Sequence, residues 1–121
     1  MNRDTILVVD DSPTELKLVT RALTAKGYRV VTATDGDEAL SKATSEKPRL
    51  IVLDVVLPKK NGFQVCRTLK TAPETKGIKV LLLTSKNQES DRFWGLKQGA
   101  DGYMMKPFAE EDLCAHVGDL L

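Results

Sequence analysis

Five short apolar runs recur along the chain at fairly even spacing: Ile6-Leu7-Val8-Val9, Tyr28-Arg29-Val30-Val31-Thr32, Leu50-Ile51-Val52-Leu53, Ile78-Lys79-Val80-Leu81-Leu82-Leu83 and Gly102-Tyr103-Met104-Met105. Most are rich in Val, Ile and Leu. Three are continuous rather than alternating, the pattern of strands covered on both faces. Segments with helical spacing lie between and after them. Ser12 is placed to cap the first helix, with Pro13 at its first position and Glu15 three residues on, as in a capping box. Leu16, Val19, Ala22 and Leu23 form its apolar stripe and Gly27 ends it. A second helix is predicted from Asp37 to Glu46, closed by Pro48, and a third over Phe63–Thr71 with Val65, Cys66 and Leu69 inward. A fourth covers Glu89–Gln98, stopped by Gly99, with Trp94 on its packing face; a fifth starts at Ala109–Glu110. The alternation of strand and helix predicts an α/β fold with a parallel sheet and right-handed crossovers.

The polar residues just past the apolar runs carry the chemistry. The first strand ends in Asp10-Asp11, the third in Asp54, the fourth in Thr84-Ser85 and the fifth in Lys106-Pro107. In an open α/β sheet, ligands bind outside the carboxyl ends of the strands. Three acids, a hydroxyl and a lysine are therefore expected at one edge. Carboxylates packed that closely repel, and at least one takes a proton unless a cation intervenes. All-oxygen ligation suits Mg²⁺ or Ca²⁺ and not zinc, and Mg²⁺ held by few carboxylates keeps positions open for phosphate oxygens. With Lys106 and Thr84 beside it, such a site meets the demands of phosphoryl transfer, which are positioning and charge neutralisation. Asp54, alone on its strand, is the candidate nucleophile for an aspartyl-phosphate.

Composition narrows the classes. The chain has 121 residues, 41% hydrophobic and 29% charged, enough for one domain with its own core (residues 1–121). Lys plus Arg number 18 and Asp plus Glu 17; the net charge of +1 argues against direct nucleic-acid binding. No apolar run approaches the roughly 18 residues of a membrane span, and no signal-peptide segment precedes Ile6, so a cytoplasmic protein without membrane contact is expected. Cys66 and Cys114 lie far apart without a Cys-x-x-Cys pattern and read as structural thiols. His116 is the only histidine and reads as a surface residue of the last helix, which argues against a histidine phosphotransfer protein.

The stretches Ile6-Leu7-Val8-Val9-Asp10-Asp11-Ser12, Leu53-Asp54-Val55-Val56-Leu57-Pro58-Lys59-Lys60-Asn61-Gly62, Leu83-Thr84-Ser85 and Gly99-Ala100-Asp101-Gly102-Tyr103 leading into Lys106-Pro107-Phe108 resemble the receiver domain of bacterial two-component response regulators, over essentially the whole chain. The resemblance implies a doubly wound (βα)5 fold of the flavodoxin and CheY type, strand order 2-1-3-4-5. It implies that Asp54 accepts a phosphoryl group from a histidine kinase, with Mg²⁺ bound by Asp11, Asp54 and the Val56 backbone carbonyl, and Asp10 acting through a metal-bound water. Lys106 would pair with the acids in one state and with the phosphoryl group in the other. Thr84 would move toward a phosphoryl oxygen, Tyr103 would turn inward behind it, and Pro107 would follow a cis peptide bond. Output is expected through the fourth helix, fifth strand and fifth helix, around Lys86, Arg92, Lys97, Tyr103 and Glu111, by docking to an unidentified protein partner. Asn61-Gly62-Phe63-Gln64 and the segment Gln88 to Ala100 are similar, more narrowly, to single-domain regulators of twitching-motility, chemosensory-type systems.

Two positions depart from the family pattern. Val56, two past Asp54, and Lys86, two past Thr84, stand where polar or acidic side chains are common, which bears on how fast the phosphoryl group is hydrolysed. The expected protein is a phosphoacceptor regulator that catalyses only its own phosphoryl transfer and dephosphorylation. The alternative is a small-molecule phosphatase of the aspartyl-phosphate type. Val56 cannot transfer a proton in that role, and no insertion is long enough to form a cap. A flavin carrier is disfavoured, because three acids at the anion site would repel a flavin phosphate.

Overall fold

The continuous apolar runs become the middle of a sheet. In a computed structural model describing residues 4–85 and 88–121, strands β1 (Thr5–Val9), β2 (Arg29–Ala33), β3 (Leu50–Leu53), β4 (Lys79–Thr84) and β5 (Gly102–Met105) run parallel in the order β2-β1-β3-β4-β5. This is the expected strand order. Central β1 and β3 bury nearly every side chain, whereas edge strand β2 leaves its first four residues partly or fully exposed. Lys47, Lys59, Gly27 and Gly99 are the described residues with positive φ.

Five helices cover the two faces: α1 (Pro13–Ala25), α2 (Gly36–Glu46), α3 (Gly62–Thr71), α4 (Glu89–Lys97) and α5 (Glu110–Leu120). Period-two alternation sends Ile6, Val8, Leu50, Val52, Leu81 and Leu83 to one face, where Val19, Ala22 and Leu23 of α1 and Leu113 and Val117 of α5 meet them. Leu7, Val9, Ile51, Leu53, Val80 and Leu82 point to the other, against Ala39 and Ala43 of α2 and Val65, Cys66 and Leu69 of α3. Burial pushes the Cys66 thiol up to about 11, so it is an inert core group; both cysteines are free.

Local chemistry moves several boundaries by one residue. α2 and α3 start at Gly36 and Gly62, ahead of Asp37 and Phe63, because Asp35 and Asn61 cap them. Asp35 accepts the Glu38 N–H at 2.8 Å, and Asn61 and Gln64 exchange side-chain to backbone bonds at 2.9 and 3.1 Å. β2 starts at Arg29 rather than Tyr28, since the Tyr28 N–H is spent on the Leu23 carbonyl at the end of α1. β4 runs one residue further, through Thr84.

Trp94 departs from expectation. It is half exposed rather than packed, and Gly95 takes the inward position of α4. A Cβ on Gly95 would lie 2.7 Å from a Leu82 methyl, so the helix sits directly on the sheet's side chains and turns Phe93, Trp94 and Leu96 outward. Among the described residues no helix is long and apolar enough to cross a membrane.

Two glycines should respond oppositely to alanine. A Cβ on Gly62 would stand 2.3 Å from the Asp54 carbonyl oxygen, a backbone atom that cannot swing aside. Gly118, on the exposed side of α5, would meet nothing within 4 Å. Gly62→Ala is expected to cost about 2 kcal/mol through forced overpacking, and Gly118→Ala to gain about 0.5 kcal/mol through helix propensity. Urea midpoints that move together for the two variants would refute this.

Candidate functional site

The strand ladders extend one residue beyond the apolar runs, and those extra residues are the polar ones. The Asp10 N–H donates to the Ala33 carbonyl at 3.1 Å, the Asp54 N–H to the Val9 carbonyl at 3.0 Å, and the Lys106 N–H to the Thr84 carbonyl at 2.9 Å. Each side chain thus leaves the sheet from a backbone position fixed by a neighbouring strand. The carboxylates of Asp10, Asp11 and Asp54 converge until one oxygen from each lies within 4.8 Å of the others.

Burial divides the three acids. Asp10 and Asp54 are 5% and 8% exposed, while Asp11 is open to solvent. The Lys106 ammonium bridges the buried two, at 2.6 Å from Asp10 Oδ2 and 3.2 Å from Asp54 Oδ2. Asp10 Oδ1 accepts the Ser12 N–H at 2.9 Å and Asp54 Oδ1 the Val56 N–H at 3.2 Å. Among the described residues, none donates a hydrogen bond to the Asp11 carboxylate or pairs with it. Burial works against the charged form of Lys106, but the Asp10 hydrogen bond and the Asp54 charge outweigh it and hold its pKa above the usual lysine value.

The remaining expected residues fall in different places. Thr84 ends β4 fully buried, and the hydroxyl residue on the cleft wall is its neighbour Ser85. Val56 stands on the rim, 54% exposed. Tyr103 is already turned inward at 8% exposure, packed in the core with its ring against Gly95; burial, with the charges of Asp91 and Asp54, raises its phenol pKa. The Lys106–Pro107 bond is cis, as expected. Arg92, Lys97 and Glu111 are exposed, and Lys86 lies outside the described residues. Sequence reasoning missed Glu15, which lines the same cleft with Ser12 and Pro107. Its spacing from Ser12 pointed only to a helix cap.

The Lys106 charge should be separable from its methylene packing. A lysine whose folded pKa is raised stabilises fully below the unfolded value, and that contribution is lost as pH rises through the folded pKa. Lys106→Met is expected to cost about 2 kcal/mol at neutral pH, by leaving two buried carboxylates uncompensated. The gap to wild type should then narrow above about pH 10.4, where unfolded lysine loses its proton. The raised Tyr103 value is common to both proteins and cancels. Denaturant midpoints showing a constant gap across the alkaline range would assign the loss to packing instead.

Comparison with known proteins converges on one family. Residues 6–118 match the response regulator receiver domain. The chain is 42% identical to the protein PilH of Pseudomonas aeruginosa over 116 residues, 96% of each chain. It is 47% identical over 116 residues to the alkaline phosphatase synthesis transcriptional regulatory protein PhoP of Bacillus subtilis, covering 96% of this chain and 48% of that one. It thus spans nearly all of PilH but about half of PhoP. Among solved structures, the chemotaxis protein CheY4 of Vibrio cholerae superposes with a TM-score of 0.93 at 32% identity, over 99% of this chain and 100% of that chain. With the strand order and the acid edge already established, these matches make the chain a member of the response regulator receiver family, whose domains act in phosphorylation-dependent two-component signalling.

Proposed function

We propose that Asp54 is the phosphoacceptor, taking a phosphoryl group from the phosphohistidine of a histidine kinase in the cytoplasm. The observation that carries the reading is the Asp54 carboxylate held at the sheet edge between the Lys106 ammonium and the acid pair. An Asp54 oxygen forms the new bond to phosphorus, the phosphorus–nitrogen bond breaks, and the imidazole leaves with the electron pair. Asp54 is fixed for this by its own ladder bond to Val9, and Lys106 lies where it can follow charge from the carboxylates to the phosphoryl oxygens.

The donor set fits Mg²⁺: hard oxygens only, three carboxylates within reach of one ion, and Asp11 exposed to meet it. Asp11, Asp54 and the Val56 carbonyl would hold the ion directly. Asp10, engaged on both oxygens by Ser12 and Lys106, would act through water. When bound, the ion neutralises carboxylate charge and draws phosphoryl oxygens to the site. The phosphatase alternative gains nothing here, since rim residue Val56 carries no proton to transfer.

Output would use the α4, β5 and α5 face. Exposed Arg92 and Lys97 accompany exposed Phe93 and Leu96 on α4, with exposed Met105 on β5, while exposed Glu111 lies on the side of α5 toward Lys26 and Tyr28. The α4 and β5 part is a mixed surface suited to a protein partner. Phosphorylation would bias two arrangements of that face by the contacts that Lys106 and Thr84 exchange.

Acetyl phosphate with Mg²⁺ should add one phosphoryl group to the wild type, seen by mass spectrometry, and none to Asp54→Ala. Label that persists in Asp54→Ala would sink the assignment. For the metal, Asp11→Ala should lose Mg²⁺ affinity more completely than Asp10→Ala in calorimetric titration. The reverse ranking would exchange their roles.

A further inference from the structure

The spacing of Ser12 and Glu15 is that of a capping box, in which the glutamate carboxylate accepts the backbone N–H of the cap residue. Only one half forms. Ser12 Oγ accepts the Glu15 N–H at 3.4 Å, but the Ser12 N–H donates to Asp10 Oδ1 at 2.9 Å. Asp10 is pinned in that pose through its other oxygen, 2.6 Å from Lys106. The Glu15 carboxylate has therefore lost its local partner to the acid site. Among the described residues no hydrogen bond or ion pair involves it, and the residue stands part-buried on the cleft wall with Asp10, Asp11, Asp54 and Lys106. Among the described residues, four carboxylates and one ammonium then line the opening. The neighbouring notch, formed by Glu15, Leu18, Pro107 and Phe108, adds Glu110 and, among the described residues, no cation.

We propose that Glu15 is a specificity-determining residue, a fixed negative charge that selects against small dianionic phosphodonors while favouring a divalent cation. The inference rests on the reading of Asp54 as phosphoacceptor. In the reaction with acetyl phosphate, the Asp54 oxygen–phosphorus bond forms as the phosphorus–oxygen bond to acetate breaks, and acetate leaves with the electron pair. The incoming dianion must first approach the uncompensated carboxylates. Phosphohistidine on a protein surface escapes that penalty where cationic neighbours travel with it. A unit charge on the wall of the same cleft acts on a dianion through water strongly enough to change its local concentration roughly threefold to fivefold at low ionic strength. Physiological salt screens much of this.

The test uses the whole chain as wild type, Glu15→Gln and Glu15→Lys, at saturating Mg²⁺ and low salt. Labelling by acetyl phosphate should speed up about threefold in Glu15→Gln and further in Glu15→Lys, through the donor concentration dependence rather than the limiting rate. Phosphoramidate, which carries less net negative charge, should gain less, and both gains should fade in about 0.5 M salt. In calorimetry without donor, Mg²⁺ should bind about threefold more weakly to Glu15→Gln, the opposite sign. A residue that only supports the helix would move neither the donor-charge dependence nor the salt dependence. Equal labelling of wild type and Glu15→Gln, or slower labelling of the variant, would overturn the proposal while leaving Asp54 in its role. A wild type that takes no label would overturn the phosphoacceptor reading, and this inference with it.

Discussion

One ammonium makes the acid edge tolerable. Asp10 and Asp54 are both buried, and two carboxylates so placed would push a proton onto one of them unless a cation stood between. Lys106 is that cation, bonded to both. It also ties β5 to the ends of β1 and β3 across the intervening β4. A group that later competes for the ammonium must break a contact joining three strands, so local chemistry and the packing of the sheet's carboxyl edge are one problem.

The sheet acts as a ruler for that edge. Parallel register sets Asp10 and Asp54 level with each other, while Lys106 stands two residues further along its strand and reaches back to both; the extra backbone bonds at all three hold them there. The loop after β3 is also fixed from behind. The Gly62 N–H donates to the Val55 carbonyl at 2.8 Å, the Gly36 N–H reaches the Pro58 carbonyl at 3.2 Å, and Lys60 pairs with Asp37 at 2.9 Å. The exposed ion pair adds little by itself. The backbone contacts and the absence of side chains at Gly36 and Gly62 set the path of the loop.

Much of this was legible in the residues because two simple periodicities carried it. Uninterrupted Leu50-Ile51-Val52-Leu53 reads as a central strand, and Asp54 directly after it must emerge at the sheet's edge. The features that escaped notice depended on competition between partners. Glu15 looked like a capping partner because nothing in the chain's spacing says that Asp10 will take the Ser12 N–H. Trp94 looked inward because large aromatics usually are; only the approach of α4 to Leu82 shows that the inward position admits a glycine. Tyr103 was expected to turn inward on phosphorylation, yet it is buried already, since removing Cβ at Gly95 makes room for its ring. Thr84 and Ser85 are adjacent in sequence, and pleating decides which hydroxyl lines the cleft.

The glycine beneath α4 has a thermodynamic meaning. Of the five helices, this one has the fewest buried side chains to lose on leaving the sheet: its only buried residue is Gly95, which has none. α1 and α5 would have to expose Val19, Leu23, Leu113 and Val117 to shift. Local opening is cheapest where little apolar surface is returned to water. Amide protons of α4 should therefore exchange through small, frequent openings, while those of β1 and β3 wait for global unfolding. The molecule carries a built-in gradient of rigidity, stiff at its central strands and soft at the one helix laid over Leu82 and Tyr103.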